Sequence, residues 1–340
     1  MKVVLLSGGV GGAKLAAGLH DVLAPGELTI VGNVGDDLEV LGISVSPDLD
    51  SLLYALAGLN DTERGWGRAG ESWQALESAR AWGGEGWFML GDLDIGLHLV
   101  RTQALRRGDP LSAVTAEFMR AAGLATLLLP ATDDPLRTHV VTPQGTFAFQ
   151  EWFVARRHED EVDALEYGGA DAARPAPGVL EALETADAVV IAPSNPFVSI
   201  HPILAISGIR AALEERTVPS VGVSPLIGGR AVRGPLDRMM QRLLGGTTPA
   251  HVTKCYKGLL DALVIDRADA PADSAAAGEG NVAFEVTDTL MGDRDAARRL
   301  AETTLEATME ARTGRSHCSE ARAASGRRSP SGCARRATTS

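Results

Sequence analysis

The sequence predicts an α/β fold, a Rossmann-like, doubly wound and mostly parallel sheet carrying a smaller helical and hairpin insertion. Three observations lead there. Short apolar runs recur at Val3–Ser7, Leu28–Asn33, Ala188–Ala192, Val218–Val223 and Leu263–Asp266, each the length of a buried strand. Stretches with helical spacing separate them, notably Ala13–Leu23, Ile203–Glu214 and Leu236–Leu244. The first run also ends in a cluster of glycines, as a strand does when it turns into a helix at a ligand-binding edge. Strands alternating with helices put the crossovers on the sheet faces, which makes the sheet parallel and covered on both sides.

The remaining elements follow in order. Ser51–Ala57, Glu71–Trp82, Asp94–Arg107 and Leu111–Ala122 have helical spacing, and Leu127–Leu129 is an apolar strand. His139–Val141 and Thr146–Val154 flank Pro143-Gln144-Gly145 and read as a hairpin. Residues 155–176 are charged and rich in Gly and Pro, the composition of a long surface connection. Arg294–Glu310 is a closing helix. The expected organisation is therefore one domain over 1–311, with an insertion at roughly 50–175, and a basic, disordered tail over 312–340.

Hydrophobic residues make up 45% and charged residues 22%, the balance of a globular protein. No run of eighteen apolar residues is present, so no membrane span is expected. The apolar start, MKVVLLSGGVGG, is too short for a secretory leader and reads as a buried first strand. Cys255, Cys318 and Cys333 have neither metal-ligand spacing nor a paired framework, which fits a reducing cytoplasm. The net charge of −12 argues against a general nucleic-acid binder. From Arg312 onward seven Arg stand against one acid, a net of +6, which leaves −18 for residues 1–311. An acidic body that handles phosphates needs a cation between them.

The glycine loop, Ser7-Gly8-Gly9-Val10-Gly11-Gly12-Ala13-Lys14, lies where strand becomes helix. Glycines let a backbone approach phosphate, and a helix N-terminus offers it free N–H groups. Two nucleotide fingerprints nearly fit and both fail. The dinucleotide pattern meets Lys14 where its last Gly belongs, and the Walker pattern has Ala13 before the Lys and Leu15 after it. Four glycines in five positions favour phosphate binding over a bare tight turn. Lys14 either neutralises phosphate or lays its stem along the surface.

Asp36-Asp37 follows the second strand and Asp48 and Asp50 open the next helix, so both pairs belong at the carboxyl edge of the sheet. Oxygen ligands converging there suit Mg²⁺; helix capping is the alternative for Asp48 or Asp50. Gly91-Asp92-Leu93-Asp94 precedes a helix with His98 and Arg101, either substrate-positioning groups or a cap followed by a solvated face. Four of the five tryptophans fall between Trp66 and Trp87, and Gly65-Trp66-Gly67 is a setting in which a flat heteroaromatic could stack. Ala192-Pro193-Ser194-Asn195-Pro196 and Val223-Ser224-Pro225-Leu226-Ile227-Gly228-Gly229 follow later strands and read either as purine- and phosphate-contacting loops or as ordinary turns.

The ordered set of these segments resembles the 2-phospho-L-lactate transferases of coenzyme F420 biosynthesis, the CofD/FbiA family. Besides the glycine loop, the landmarks are Asn33-Val34-Gly35-Asp36-Asp37, Pro47-Asp48-Leu49-Asp50, Gly65-Trp66-Gly67, Leu90-Gly91-Asp92, His139-Val140-Val141, Phe149-Gln150-Glu151-Trp152, Pro193-Ser194-Asn195-Pro196 and Ser224-Pro225-Leu226-Ile227, from Met1 to about Ala311. The resemblance implies a Rossmann-like homodimer that uses Mg²⁺. It implies transfer of a phospholactyl or phosphoenolpyruvyl group from a guanosine diphosphate donor to the deazaflavin FO, releasing GMP. It places the metal on Asp36 and Asp50, and FO on Asp50 and position 89, with Trp66 as the candidate for stacking. Gly8, Gly9, Gly11, Gly12, Ala13, Lys14, Ser194, Asn195 and Ser224 would hold the guanosine diphosphate, and Asp50 or Asp37 would accept the proton of the attacking hydroxyl. Two departures matter. Leu93 stands where the family often has Arg, and Met89 where archaeal members commonly have Lys, so Met89 is left with a backbone or packing contact. A non-catalytic, nucleotide-sugar-binding regulator of the gluconeogenesis-factor type is the alternative. A nicotinamide-dependent oxidoreductase is the further rival, and the missing third Gly counts against it.

Overall fold

The computed structural model describes residues 1–270 and 282–325. Its central sheet has seven parallel strands: β1 (Val3–Ser7), β2 (Leu28–Gly32), β3 (Leu127–Pro130), β4 (Ala188–Ile191), β5 (Ser220–Val223), β6 (Ala262–Asp266) and β7 (Ala283–Thr287). Their spatial order is β7-β6-β5-β4-β1-β2-β3. The chain thus builds outward from β1 to one edge, crosses back, and builds outward to the other. β1 is the pivot, with Val3 paired to Leu28 of β2 on one side and to Ala188 of β4 on the other. Every residue of β1, β4, β5 and β6 is buried, which is why each reads as an unbroken apolar run rather than an alternating one.

The predicted doubly wound parallel sheet is therefore present. Strands β1 and β4 diverge into opposite halves of the fold, and the crevice above their carboxyl ends is where ligands of such sheets bind. The region 50–175 contains not one insertion but two excursions, because β3 within it is the edge of the central sheet. Between β2 and β3 lie an antiparallel hairpin (Leu38–Val40 with Ile43–Val45) and helices α2 (Pro47–Ala57), α3 (Gln74–Ala81), α4 (Asp92–Arg106) and α5 (Leu111–Ala121). Between β3 and β4 lies a second, three-stranded antiparallel sheet. Its hairpin, Arg137–Thr142 with Gly145–Ala148, lies where one was predicted, but the second arm stops at Ala148, and Glu151–Ala155 is helical where the arm was expected to run to Val154. Its third strand, Ala164–Gly168, falls where a surface connection was expected. That strand buries only one face among charged neighbours, so its apolar signal is weak.

Helix α1 (Gly9–Val22) connects β1 to β2 and packs on α2 and on the C-terminal helix Arg294–Ser325. That last helix runs well past Glu310, through part of the segment expected to be a disordered tail; 326–340 lies outside the described residues. The approach of α1 to it is closest at Gly18, where an added Cβ would sit 2.2 Å from the carbonyl oxygen of Ala297. Arg294 clamps the same contact through Asp21 and the Ala55 carbonyl. Gly18→Ala is expected to destabilise the protein by about 1–3 kcal/mol through overpacking, despite the better helix propensity of Ala. A urea midpoint unchanged or raised by that substitution would contradict the contact.

Candidate functional site

A cavity of about 630 Å³ opens above the β1/β4 divergence. The glycine loop and the first turn of α2 form one side, the loops after β4 and β5 another, and α4 with the Gly65–Gly67 loop a third. No helix among the described residues is long and apolar enough to cross a membrane.

The glycines are explained first by crowding. A Cβ on Gly8 would lie 2.3 Å from an Asp48 carboxylate oxygen, one on Gly11 would lie 2.7 Å from the Pro193 carbonyl, and one on Gly12 would meet the hydroxyls of Ser7 and Ser194. Gly9 has φ +67°, the left-handed region. Ser194 ties the two loops together by donating to the Gly8 carbonyl at 2.6 Å while accepting from the Gly8 N–H at 3.3 Å. The Gly9 N–H, at the head of α1, donates to Asp48 Oδ1 at 2.7 Å. The helix terminus is thus already facing an anion, a side chain of the protein itself.

Three carboxylates, Asp36, Asp48 and Asp50, are buried around this point, with the half-buried Asp37 beside them. Asn33, at the end of β2, holds two of them: its amide donates to Asp48 Oδ2 at 2.9 Å, to Asp36 Oδ1 at 3.2 Å and to the Val198 carbonyl at 3.1 Å. Gln150 donates to the other Asp36 oxygen at 2.9 Å. Burial, reinforced by Asp48 and Asp37, pushes the Asp36 carboxyl well above its ordinary range. Burial raises Asp48 to about 6 against the opposing pull of Asn33 and Gly9. Asp37 is raised to about 7 by burial; it accepts from Ser46 at 2.9 Å, and its second oxygen has no partner.

Asp50 is different. Arg101 of α4 reaches across to both of its oxygens, one at 3.0 Å and the other closer. His98, one turn earlier on α4, lies 3.6 Å from Asp50 and 3.1 Å from Arg101 through Nδ1. Burial lowers His98 to about 4, the attraction of Asp50 being too weak to offset it and Arg101 lowering it further. One turn along each helix, Tyr54 donates to Asp94 at 2.5 Å. Asp50 and Tyr54 on α2, four residues apart, thus meet Arg101 and Asp94 on α4, so long side chains tie the two helices together.

The cationic groups of the lining lie elsewhere. Lys14 donates to the Met291 carbonyl at 2.8 Å, and burial followed by the nearby Arg233 lowers its ammonium. Arg233 spans the mouth to the carbonyls of Arg64 and Gly65, holding the loop that carries Trp66. Arg64 in turn lies over the rings of Trp66 and Trp73, at 4.7 and 5.1 Å.

Residues 3–308 match the family model described as 2-phospho-L-lactate transferase CofD. The chain belongs to the CofD family. A "Phosphoenolpyruvate transferase" of Streptomyces griseus subsp. griseus is 42% identical over 318 residues, covering 92% of this chain and 100% of that one. One of the same name from Streptomyces coelicolor is 40% identical, covering 92% and 99%. One from Thermobifida fusca is 44% identical over 293 residues, covering 82% and 89%. A crystal structure of a Bacillus halodurans protein superposes with a TM-score of 0.60 at 18% identity, covering 89% of this chain and 99% of that one, and shares the fold.

Of the residues the CofD resemblance singled out, Gly8, Gly9, Gly11, Lys14, Asp36, Asp50, Trp66, Met89, Ser194, Asn195 and Ser224 all line the one cavity. Gly12, Ala13 and Asp37 do not line it. Gly12 and Ala13 face the packed interior, and Asp37 turns to Ser46. Trp66 is the one member of the tryptophan cluster in the lining, whereas Trp82 is 90% exposed. Asn33, Gln150 and Arg233 were not read as functional side chains. Asn33 and Gln150 lay inside quoted landmarks; Arg233 has no motif around it. Among the described residues no group of three or more His, Cys, Asp or Glu is placed to hold a metal ion.

The Asp37 geometry predicts a pH dependence. Its folded pKa, about 7, exceeds the ordinary carboxylate value of 3.8, so its contribution is fully present below pH 4 and lost as pH rises toward 7. In chelator, Asp37→Asn should therefore lose less stability than the parent protein between pH 5 and 8. Parallel urea-midpoint profiles for the two proteins would show that Asp37 does not titrate in this range.

Proposed function

We propose that this CofD-family protein is the transferase of F420 biosynthesis that moves a phosphoenolpyruvyl or phospholactyl group from a guanosine diphosphate ester to the deazaflavin FO, with release of GMP. The observation that carries this reading is the single cavity shared by the glycine loop, the carboxylate cluster and the Trp66 loop. One cleft with those three walls has room for two substrates side by side. The printed names of the relatives, which span nearly their whole length, favour phosphoenolpyruvate as the acid moiety.

The residues present fit a divalent cation. Asp36 and Asp48 share one amide donor, are both driven upward by burial, and face the cavity with hard oxygen ligands. Mg²⁺ typically takes one or two carboxylates and completes its shell with water and phosphate oxygens, so two protein ligands suffice. Asp36 and Asp48 are the better pair, because Asp50 already faces a cation, the Arg101 guanidinium, whereas Asp36 and Asp48 accept only from neutral donors. Mg²⁺ there would supply the positive charge that lets the donor's phosphates approach an acidic wall.

The chain's own groups do the rest. The Ser194-Asn195 and Ser224 loops, with Lys14, line the side that would receive the guanosine diphosphate. The Trp66 ring and Met89 give the deazaflavin an apolar face. Asp50, held in place by Arg101, accepts the hydrogen bond of the attacking hydroxyl and takes its proton as the P–O bond forms. Asp37 lies outside the lining, which leaves this role to Asp50. Phosphorus transfer of this kind depends on alignment and charge neutralisation rather than on a covalent enzyme intermediate.

The purified protein with FO, guanylylated phosphoenolpyruvate and Mg²⁺ should yield GMP and a product heavier than FO by the phosphoenolpyruvyl group, seen by mass spectrometry. Asp50→Asn should lower kcat about a hundredfold or more while still binding FO. Full consumption of neither substrate, or an Asp50→Asn variant with parental kcat, would contradict the assignment. Tight binding of a nucleotide-sugar without turnover would favour the regulator alternative.

A further inference from the structure

Arg101 does not line the cavity, yet its guanidinium contacts two side chains that do. It is buried, with 2% of its surface exposed, and packs against the Phe118 ring. Its NH1 nitrogen lies 3.0 Å from Asp50 Oδ2 and 3.1 Å from His98 Nδ1, and has one hydrogen for each. Arginine donates and never accepts, so the Nδ1 facing it has to be the bare nitrogen of a neutral imidazole. The alternative donor geometry, His98 Nδ1–H to Asp50, spans 3.6 Å, too long for a hydrogen bond. The imidazole proton then resides on Nε2, on the edge of the ring turned away from Arg101. That nitrogen has no partner among the described residues, and His98 is part of the cavity wall.

We propose that Arg101 is a positioning residue: it fixes His98 as an Nε2–H donor beside the Asp50 carboxylate, so that this wall offers one donor and one acceptor to the hydroxyls of a polyol chain. A hydroxyl both donates and accepts, and neighbouring hydroxyls on an extended chain satisfy an acceptor and a donor a few ångströms apart. Asp94, next along α4, carries the polar wall further and is itself held by Tyr54. The inference rests on the reading above that the acceptor is an alcohol, and it assigns the recognition of its chain to the α4 wall. Lysine at 101 would keep the charge but not the planar fork that reaches Asp50 and His98 at once.

The test has two arms. In protein labelled with ¹⁵N-histidine and free of ligands, the His98 signals, assigned by their disappearance in His98→Gln, are expected to show a bare Nδ1 and a protonated Nε2 at neutral pH. Arg101→Lys should mix the two tautomers, whereas a purely structural Arg101 would leave the His98 signature unchanged. In steady-state kinetics, His98→Leu should raise KM for FO about tenfold, the worth of one lost hydrogen bond, and leave KM for the guanylylated donor unchanged. His98→Gln, which keeps an N–H near the same position, should recover most of that loss. An Nδ1–H tautomer or an imidazolium in the parent protein, or equal increases in both KM values, would overturn the proposal. If the parent protein does not convert FO at all, the transferase reading fails, and the tautomer measurement still decides the placement of His98.

Discussion

The architecture around the cleft depends on one constraint: three buried carboxylates, Asp36, Asp48 and Asp50, and the half-buried Asp37 gather above the carboxyl ends of β1 and β4, and one guanidinium is placed among them. Leaving a charge buried and unpaired costs several kcal/mol, so each acid has its own compensation. Asp50 takes the Arg101 fork. Asp48 takes the head of α1 and half of Asn33. Asp37 has Ser46 and a raised pKa, and Asp36 has Asn33, Gln150 and a raised pKa as well. Asp36 and Asp48 are left short of positive charge on the side that faces the cavity, which is where a cation with anionic substrate oxygens would complete them.

The glycine loop takes on a different meaning in that setting. Its lack of side chains is required by neighbours on three sides: Asp48, the Pro193 carbonyl and the Ser7 and Ser194 hydroxyls. The same bareness brings α1 close enough for its first N–H to bind a carboxylate. A nucleotide phosphate at this place would meet a helix terminus whose first donor is occupied, with Gly8, Gly9, Gly11 and Lys14 on the cavity side as its route of approach. This accounts for a loop that approximates two nucleotide fingerprints and satisfies neither.

Much of this was legible in the sequence because it is local. Buried parallel strands are continuous apolar runs, so β1, β2, β4, β5 and β6 could be placed from composition and length. Acids that follow a strand or open a helix lie at the carboxyl edge wherever the sheet is parallel, so Asp36, Asp48 and Asp50 could be brought together before any coordinates. The rest depends on packing between distant segments. Nothing at Arg101 says that it reaches Asp50, fifty-one positions earlier; that contact exists only because the folded chain brings α4 within side-chain reach of α2. Arg233 bridges to Gly65 for the same kind of reason. Ala164–Gly168 and Ala283–Thr287 are as long as the central strands but hold no fully buried residue, so their apolar pattern is no stronger than that of a loop.

The most direct measurement is the affinity of the protein for GDP, the guanosine diphosphate part of the proposed donor, by calorimetric titration with Mg²⁺ and in chelator. If two buried, under-compensated carboxylates recruit the phosphates through a cation, binding should weaken at least tenfold in chelator, and the Asp36→Asn, Asp48→Asn double variant should lose most of that dependence. Equal affinity with and without the cation, in a protein that binds GDP well, would contradict the account.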